Sequence, residues 1–203
     1  MRYCTNNIHC VSLRTFYKMS RKVYYKESTV KGWVHEIIRS MASDGWRPDY
    51  IVGLTRGGLV PANMLSQYLD VPMHTLKVSF RDDNHGPESN LWMAEDAFGW
   101  VDGSYRALGG DSAFDFTLHA KNILVVDDIN DTGATLNWIR EDWQSGCLPD
   151  NSRWENVFGN NVRFAVLINN EASEFKDVDY TGLQINKLEE PIWCVFPWEE
   201  WWN

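Results

Sequence analysis

Short apolar runs alternate with amphipathic stretches along the chain. The apolar runs have the length of strands that are buried on both faces, whereas the amphipathic stretches carry apolar residues at helical spacing, as Trp33, Ile37 and Met41 do. This alternation predicts an α/β fold with a mostly parallel central sheet flanked by helices. We predict strands at 50–55, 73–80, 122–129, 162–169 and 191–199, and helices at 29–43, 59–70 and 135–144.

Three segments do not fit this alternation. Residues 81–120 are rich in Gly, Asp, Ser and Asn without a sustained period, so we expect a flexible lid over the site there. Residues 145–161 predict a polar loop. Residues 1–18 lack the apolar core of a secretory signal and are expected to be a poorly ordered extension, with residues 19–203 forming one domain.

Composition narrows the possible partners of the 203-residue chain. Its net charge of −9 disfavours nucleic acid or an anionic membrane as the main partner, and no apolar stretch approaches the roughly 20 residues of a membrane span. The four cysteines form no CxxC pair and the five histidines are scattered, which argues against structural zinc and a disulfide framework. Isolated reduced thiols are typical of a cytoplasmic protein.

The strand that ends in Asp127 and Asp128 carries the clearest chemistry. Thr132-Gly133-Ala134-Thr135 follows it, and the backbone N–H groups of such a turn can bind a phosphate at the positive end of a helix. A helix cap formed by Asp131 or Thr132 is the structural alternative, but it does not explain the paired carboxylates. Adjacent buried carboxylates repel each other, so they indicate binding of hydroxyl groups or of a metal ion and its water shell.

The ligand is unlike that of the common nucleotide-binding folds. The chain has no GxxxxGK[ST] and no GxGxxG, which disfavours a P-loop NTPase and a dinucleotide-binding domain. A sugar phosphate fits the residues that are present. The turn 132–135 would take its phosphate, Asp127 and Asp128 its vicinal hydroxyls, and Asp131 would point at the anomeric carbon.

Three motifs resemble those of type I phosphoribosyltransferases. "VVDDINDTGATL" is similar to the family's phosphoribosyl diphosphate (PRPP) motif, and "IVGLTRGGLVPANMLSQYLDVP" (51–72) to its pyrophosphate loop and helix. "IWCVFPWE" (192–199) is similar to the base-pocket segment of xanthine-guanine and hypoxanthine members, and we place this pocket at 187–199. The resemblance implies a PRPP site formed by Arg56, Gly57, Gly58, Asp127, Asp128, Thr132, Gly133, Ala134 and Thr135.

The resemblance also implies finer features. A non-proline cis peptide bond is expected at Thr55–Arg56, Trp193 is expected against the purine ring, and backbone groups of Cys194 and Val195 are expected to read the base edge. Asp131 is the implied general base. Magnesium is the implied cofactor, held by Asp127 and Asp128 through water, and a homodimer or homotetramer is the implied assembly.

This sequence departs from the family in two places. Where xanthine-guanine and hypoxanthine enzymes have a lysine that contacts the 6-oxo group, the chain has Asn169 or Asn170, whose amide can donate or accept a hydrogen bond. Lys187 is a possible substitute. Residues 145–161 are an insertion relative to short family members.

The activity implied by the resemblance is purine salvage, in which a nucleobase and PRPP give a nucleoside 5′-monophosphate and pyrophosphate. A 6-oxopurine is the expected base. Two alternatives stay open at this point. A PRPP-sensing regulator that binds RNA is disfavoured by the charge of −9, and a transferase for a non-purine acceptor is kept open by the missing lysine.

Overall fold

The computed structural model describes residues 21–78, 91–100 and 119–202. Two parallel sheets form the framework: five strands in the order β3-β2-β4-β5-β6, and a separate pair, β1 and β7. The elements are β1 (Arg21–Tyr24), α1 (Glu27–Ser43), β2 (Tyr50–Thr55), α2 (Leu59–Leu69), β3 (Met73–Lys77), α3 (Leu91–Phe98), β4 (Ile123–Asn130), α4 (Ala134–Gly146), a 3-10 helix (Ser152–Asn156), β5 (Val162–Asn170), β6 (Tyr180–Ile185) and β7 (Ile192–Val195).

Helices cover both faces of the larger sheet, which confirms the predicted α/β class. On one face, α1 and α2 pack through side chains such as Ile37 and Leu65 against Leu124 of β4. On the other face, α3 and α4 bring Phe98 and Trp143 into a second apolar cluster with the opposite sides of β2, β4 and β5. Burial on both faces explains why these central strands are continuous apolar runs rather than alternating ones.

Two strands were missed because their sequences carry no strong apolar pattern. β1 is largely exposed and pairs with β7 from Arg21 opposite Ile192, so tertiary pairing rather than periodicity defines it. β6 is an edge strand of intermediate burial. It contains Gly182, where a Cβ would lie 2.3 Å from Cβ of Trp33, so the close approach of α1 requires glycine there.

The expected lid at 81–120 is partly wrong. α3 lies within it and packs Met93, Ala94, Ala97 and Phe98 into the core, so this stretch is part of the scaffold. Residues 81–90 and 101–118 of this segment lie outside the described residues, as do residues 1–18. In the described part of the chain, no helix is long and apolar enough to cross a membrane.

The expected polar loop at 145–161 also contains ordered structure. α4 extends to Gly146, and the 3-10 helix carries Trp154, which is 3% exposed. The indole Nε1 of Trp154 donates to the carbonyl oxygen of Cys147 at 2.7 Å, and its ring stacks on Phe158 at 5.6 Å. One buried tryptophan therefore anchors a segment whose average composition is polar.

Candidate active site

A cleft of about 1030 Å³ opens at the carboxyl ends of β2 and β4. Parallel α/β sheets bind ligands at this edge, because the loops that leave the strands converge there. Four segments of the sequence line it, within the ranges 54–57, 77–78, 127–136 and 187–202. The sequence-predicted residues among those lining it are Arg56, Gly57, Asp127, Asp128, Asp131, Thr132, Gly133, Ala134, Thr135, Trp193, Cys194 and Val195.

The loop between β2 and α2 packs tightly against the end of β4. The peptide bond between Thr55 and Arg56 is cis, as the family resemblance implied. A Cβ at Gly57 would lie 1.9 Å from Oδ2 of Asp128, and one at Gly58 would lie 2.4 Å from the carbonyl oxygen of Val126. Gly58 is therefore required by close approach to backbone atoms, whereas a side chain at Gly57 would displace the carboxylate of Asp128. Gly58 is buried against β4, whereas Arg56 is exposed and lines the cleft.

Asp127 and Asp128 lie at the cleft floor near the end of β4. Oδ1 of Asp127 accepts a 2.9 Å hydrogen bond from the backbone N–H of Asp128. Burial, followed by the charge of Asp128, raises the pKa of Asp127 well above the usual carboxyl range. Burial, followed by the charge of Glu199, raises the pKa of Asp128 to about 6. The ionised pair therefore destabilises the folded, ligand-free protein. A bound cation, or a ligand that donates hydrogen bonds to the carboxylates, would offset this destabilisation.

The turn after β4 leaves backbone N–H groups available at the start of α4. Gly133 occupies the N-cap position with φ of +91°, and no side chain caps the helix. Oγ1 of Thr132 accepts a long hydrogen bond of 3.4 Å from the backbone N–H of Ala134. The helix-cap alternative is therefore not supported. A left-handed glycine followed by the N-terminus of a 13-residue helix suits an anion instead.

A buried polar wall lies directly behind this turn. Ser173 Oγ donates to Oδ1 of Asn130 at 2.8 Å, and Nδ2 of Asn130 donates to the carbonyl oxygen of Phe175 at 3.0 Å. A Cβ at Gly133 would lie 2.4 Å from the backbone nitrogen of Phe175, so the wall leaves room for glycine alone. The apolar pattern gave no signal for this wall.

The same wall engages the side chain of Asn169. Its Oδ1 accepts a 2.8 Å hydrogen bond from Nδ2 of Asn130, and Asn169 is not among the residues that line the cleft. Our expectation that Asn169 reads the base is therefore not supported by its placement. The cause is strand register: Asn169 pairs with Asn130 across the sheet.

Lys187 reaches the cleft from the segment after β6. Its Nζ lies 2.9 Å from Oδ1 of Asp131, and the two side chains are 13% and 26% exposed. Lys187 lines the cleft together with Trp193 and Cys194. The end of β5 thus carries no lysine, whereas Lys187, two residues beyond β6, places a cationic side chain in the cleft.

Acidic residues outnumber cationic residues in the cleft lining. Glu199 and Glu200 join the three aspartates, whereas Arg56, Lys77 and Lys187 supply the positive charges. Oε2 of Glu199 accepts a 2.9 Å hydrogen bond from the N–H of Phe196. The two glutamates were not singled out from the sequence, although they directly follow the Pro-Trp of the base-pocket motif. Among the described residues, no group of three or more His, Cys, Asp or Glu is arranged to hold a metal ion.

Fold and cleft together define an α/β protein in which a glycine turn at a helix N-terminus, paired carboxylates and aromatic side chains meet at one edge of the sheet. The phosphoribosyl transferase domain model matches residues 22–202, and the chain belongs to this family. The resemblance seen in the sequence is thereby confirmed, and the family makes the protein a glycosyltransferase.

Curated relatives and solved structures agree with this assignment. A xanthine-guanine phosphoribosyltransferase of Cereibacter sphaeroides is 32% identical, and the match covers 82% of each chain. A hypoxanthine-guanine phosphoribosyltransferase of Schizosaccharomyces pombe is 22% identical over 88% of this chain and 89% of that protein. The crystal structure of a purine phosphoribosyltransferase from Pyrococcus horikoshii shares the fold, with a TM-score of 0.55, 24% identity, and coverage of 88% of this chain and 94% of the other.

Proposed function

We propose that this protein transfers the phosphoribosyl group of PRPP to a 6-oxopurine (hypoxanthine, guanine or xanthine) and releases pyrophosphate, as in purine salvage. The observation that carries this proposal is the Asp131–Lys187 pair, 2.9 Å apart in a cleft also lined by Trp193. The pair offers a proton acceptor and a cationic donor side by side. The relatives named as hypoxanthine-guanine and xanthine-guanine enzymes support the same substrate class.

The cleft divides into three subsites in this proposal. The turn 132–135 holds the 5′-phosphate through backbone N–H groups at the start of α4. Asp127 and Asp128 accept hydrogen bonds from the ribose hydroxyls. Arg56 and the backbone around Gly57 face the pyrophosphate. The guanidinium group of Arg56 can form charge-assisted hydrogen bonds with the negatively charged oxygens of the departing pyrophosphate.

Magnesium fits the chemistry of this donor set. Carboxylate oxygens are the ligands it prefers, and it is commonly held by one or two carboxylates, with waters and substrate phosphates completing the coordination. Asp127 and Asp128, with their raised pKa values, are the side chains that would hold it through water. When bound, the ion supplies positive charge at the pyrophosphate oxygens.

The base subsite combines stacking with two directed contacts. Trp193 packs on the ring, and backbone groups of Cys194 and Val195 meet its edge. Lys187 has three N–H donors and no acceptor, so it favours a carbonyl oxygen on the base over an amino group. In the transfer step the bond from C1′ to the pyrophosphate oxygen breaks, a bond from C1′ to a ring nitrogen forms, and Asp131 accepts the proton of that nitrogen.

A base panel tests this proposal. The protein is incubated with PRPP, Mg²⁺ and one of hypoxanthine, guanine, xanthine, adenine, uracil or orotate, and pyrophosphate release is measured. We expect release with at least one 6-oxopurine and much slower release with adenine. Release with a pyrimidine alone would identify a non-purine acceptor. Tight PRPP binding without release with any base would favour the regulatory alternative.

Two further properties stay predictions. A homodimer or homotetramer is expected from the family resemblance, and light scattering on the purified protein measures it. A cytoplasmic location is expected from the isolated cysteines, and fractionation of cells that express the protein tests it.

A further inference from the structure

Asn170, the last residue of β5, joins two segments of the cleft without lining it. Its Nδ2 donates to the backbone carbonyl oxygen of Asp131 at 2.8 Å, and its Oδ1 accepts from the backbone N–H of Lys187 at 3.0 Å. The same oxygen accepts from the N–H of Ala172 at 3.2 Å. Asn170 is 6% exposed.

The strand order explains why this one side chain can reach both segments. β5 lies between β4 and β6, and Asp131 directly follows β4, whereas Lys187 lies two residues beyond β6. An amide at the end of the middle strand therefore spans the loops that leave its two neighbours. A carboxylate, hydroxyl or apolar side chain of similar size could not donate to one backbone group and accept from the other with the same geometry.

We propose that Asn170 is a positioning residue that fixes the backbones of Asp131 and Lys187 relative to each other and so holds their side chains as a pair. Its meaning for catalysis rests on the proposed function, since there the pair meets the base. A displacement of about 1 Å in a reacting group can slow an enzyme about 100-fold. Loss of the hydrogen bonds of Asn170 is therefore expected to lower the rate of transfer.

The test compares Asn170→Ala with a matched amide at the opposite end of the sheet. Asn161 precedes β5, and its Nδ2 also joins two separate backbone segments, through the carbonyl oxygens of Ala97 at 2.8 Å and Lys121 at 3.0 Å. Asn161→Ala therefore removes a similar bridge far from the cleft. Asn170→Asp keeps the volume and the acceptor but loses the donor to Asp131, and it serves if the alanine variant does not fold.

Crystal structures give the readout that does not depend on activity. We expect the Nζ–Oδ1 distance between Lys187 and Asp131 to exceed 4 Å, about the limit of an ion pair, in the Asn170 variants and to stay near 2.9 Å in Asn161→Ala. An unchanged pair in both Asn170 variants would overturn the proposal. This readout holds even if the wild-type protein releases no pyrophosphate, which would instead refute the proposed function.

A double-mutant cycle gives the kinetic readout. We expect Asn170→Ala to lower kcat/KM for the base about 10–100-fold, and Lys187→Met to lower it by a similar factor in the wild-type background but less than about 3-fold in the Asn170→Ala background. Such non-additivity shows that Asn170 acts through the pair. Equal effects of Lys187→Met in both backgrounds would assign Asn170 a structural role and overturn the proposal.

Discussion

Replacing Asp128 with asparagine should stabilise the ligand-free protein while it damages ligand binding. The carboxylate lies at the cleft floor, where burial and the charge of Glu199 raise its pKa from 3.8 to about 6. A raised carboxyl pKa means that the ionised form is less favourable in the folded protein than in the unfolded chain. The asparagine side chain has nearly the same shape and carries no charge.

The size of the effect follows from the pKa shift. A shift of about two units corresponds to roughly 3 kcal/mol in the free energy of unfolding at 1.36 kcal/mol per unit. Asp128 is partly open to the cleft, so solvent screening reduces this upper value to about 1–2 kcal/mol. For a chain of this size, about 1 kcal/mol moves Tm by roughly 2–4 °C. We therefore expect Tm to rise by about 2–8 °C at pH 7.5.

The stability difference between the two proteins depends on pH. Asp128 destabilises the folded protein fully above pH 6, and this contribution declines as the pH falls and vanishes below 3.8, where the carboxyl is protonated in both states. The Tm difference between Asp128→Asn and wild type should therefore shrink between pH 7.5 and pH 4.5.

Differential scanning calorimetry without ligand measures these differences. Asp49→Asn is the control, because the carboxylate of Asp49 accepts the backbone N–H of Asn122 at 2.7 Å and has a structural partner, so this variant should not gain stability. A lower Tm for Asp128→Asn at pH 7.5 would refute the reasoning, since it would mean that the carboxylate stabilises the fold. In the presence of saturating concentrations of PRPP and Mg²⁺, the Tm of wild type should exceed that of Asp128→Asn.

Three further changes test separate parts of the site. Asp131→Asn should leave PRPP affinity, measured by calorimetry, within about 3-fold while lowering kcat about 10²–10⁴-fold, and an unchanged kcat would remove Asp131 as the general base. Lys187→Met should lower kcat/KM for hypoxanthine about 10–100-fold and change that for adenine little; an equal loss for both bases would show that Lys187 does not read the carbonyl. Gly133→Ala should lower the free energy of unfolding by at least about 2 kcal/mol in chemical denaturation, because its Cβ would lie 2.4 Å from the backbone nitrogen of Phe175 at a φ of +91°. A smaller loss would show that the residues behind the turn can move to accommodate the methyl group.

The sequence predicted those parts of the protein that local pattern determines. Central strands such as β4 are buried on both faces, so their apolar runs are continuous and visible. The motif around Asp127 and Asp128 was informative because paired carboxylates at a strand end oppose folding and therefore indicate a ligand. The cis bond at Thr55–Arg56 was expected from family resemblance alone.

The parts that were missed depend on tertiary contacts. β1 has an exposed sequence and exists through its pairing with β7. α3 has four buried residues within a stretch of polar average composition. The sequence offered Lys187 only as a possible substitute for the lysine missing at the end of β5, and the structure places Lys187 beside Asp131 in the cleft. This placement depends on which strands lie side by side in the sheet, and a local sequence pattern does not contain that information.

Product analysis is the most direct test of phosphoribosyl transfer to a 6-oxopurine by this protein. Hypoxanthine and PRPP are incubated with the protein and Mg²⁺, and ³¹P NMR with mass spectrometry follows the products. We expect inosine 5′-monophosphate and pyrophosphate in equal amounts, with formation of both strongly slowed in Asp131→Asn. Failure to form any nucleoside monophosphate from hypoxanthine, guanine or xanthine, while the folded protein binds PRPP, would contradict this expectation.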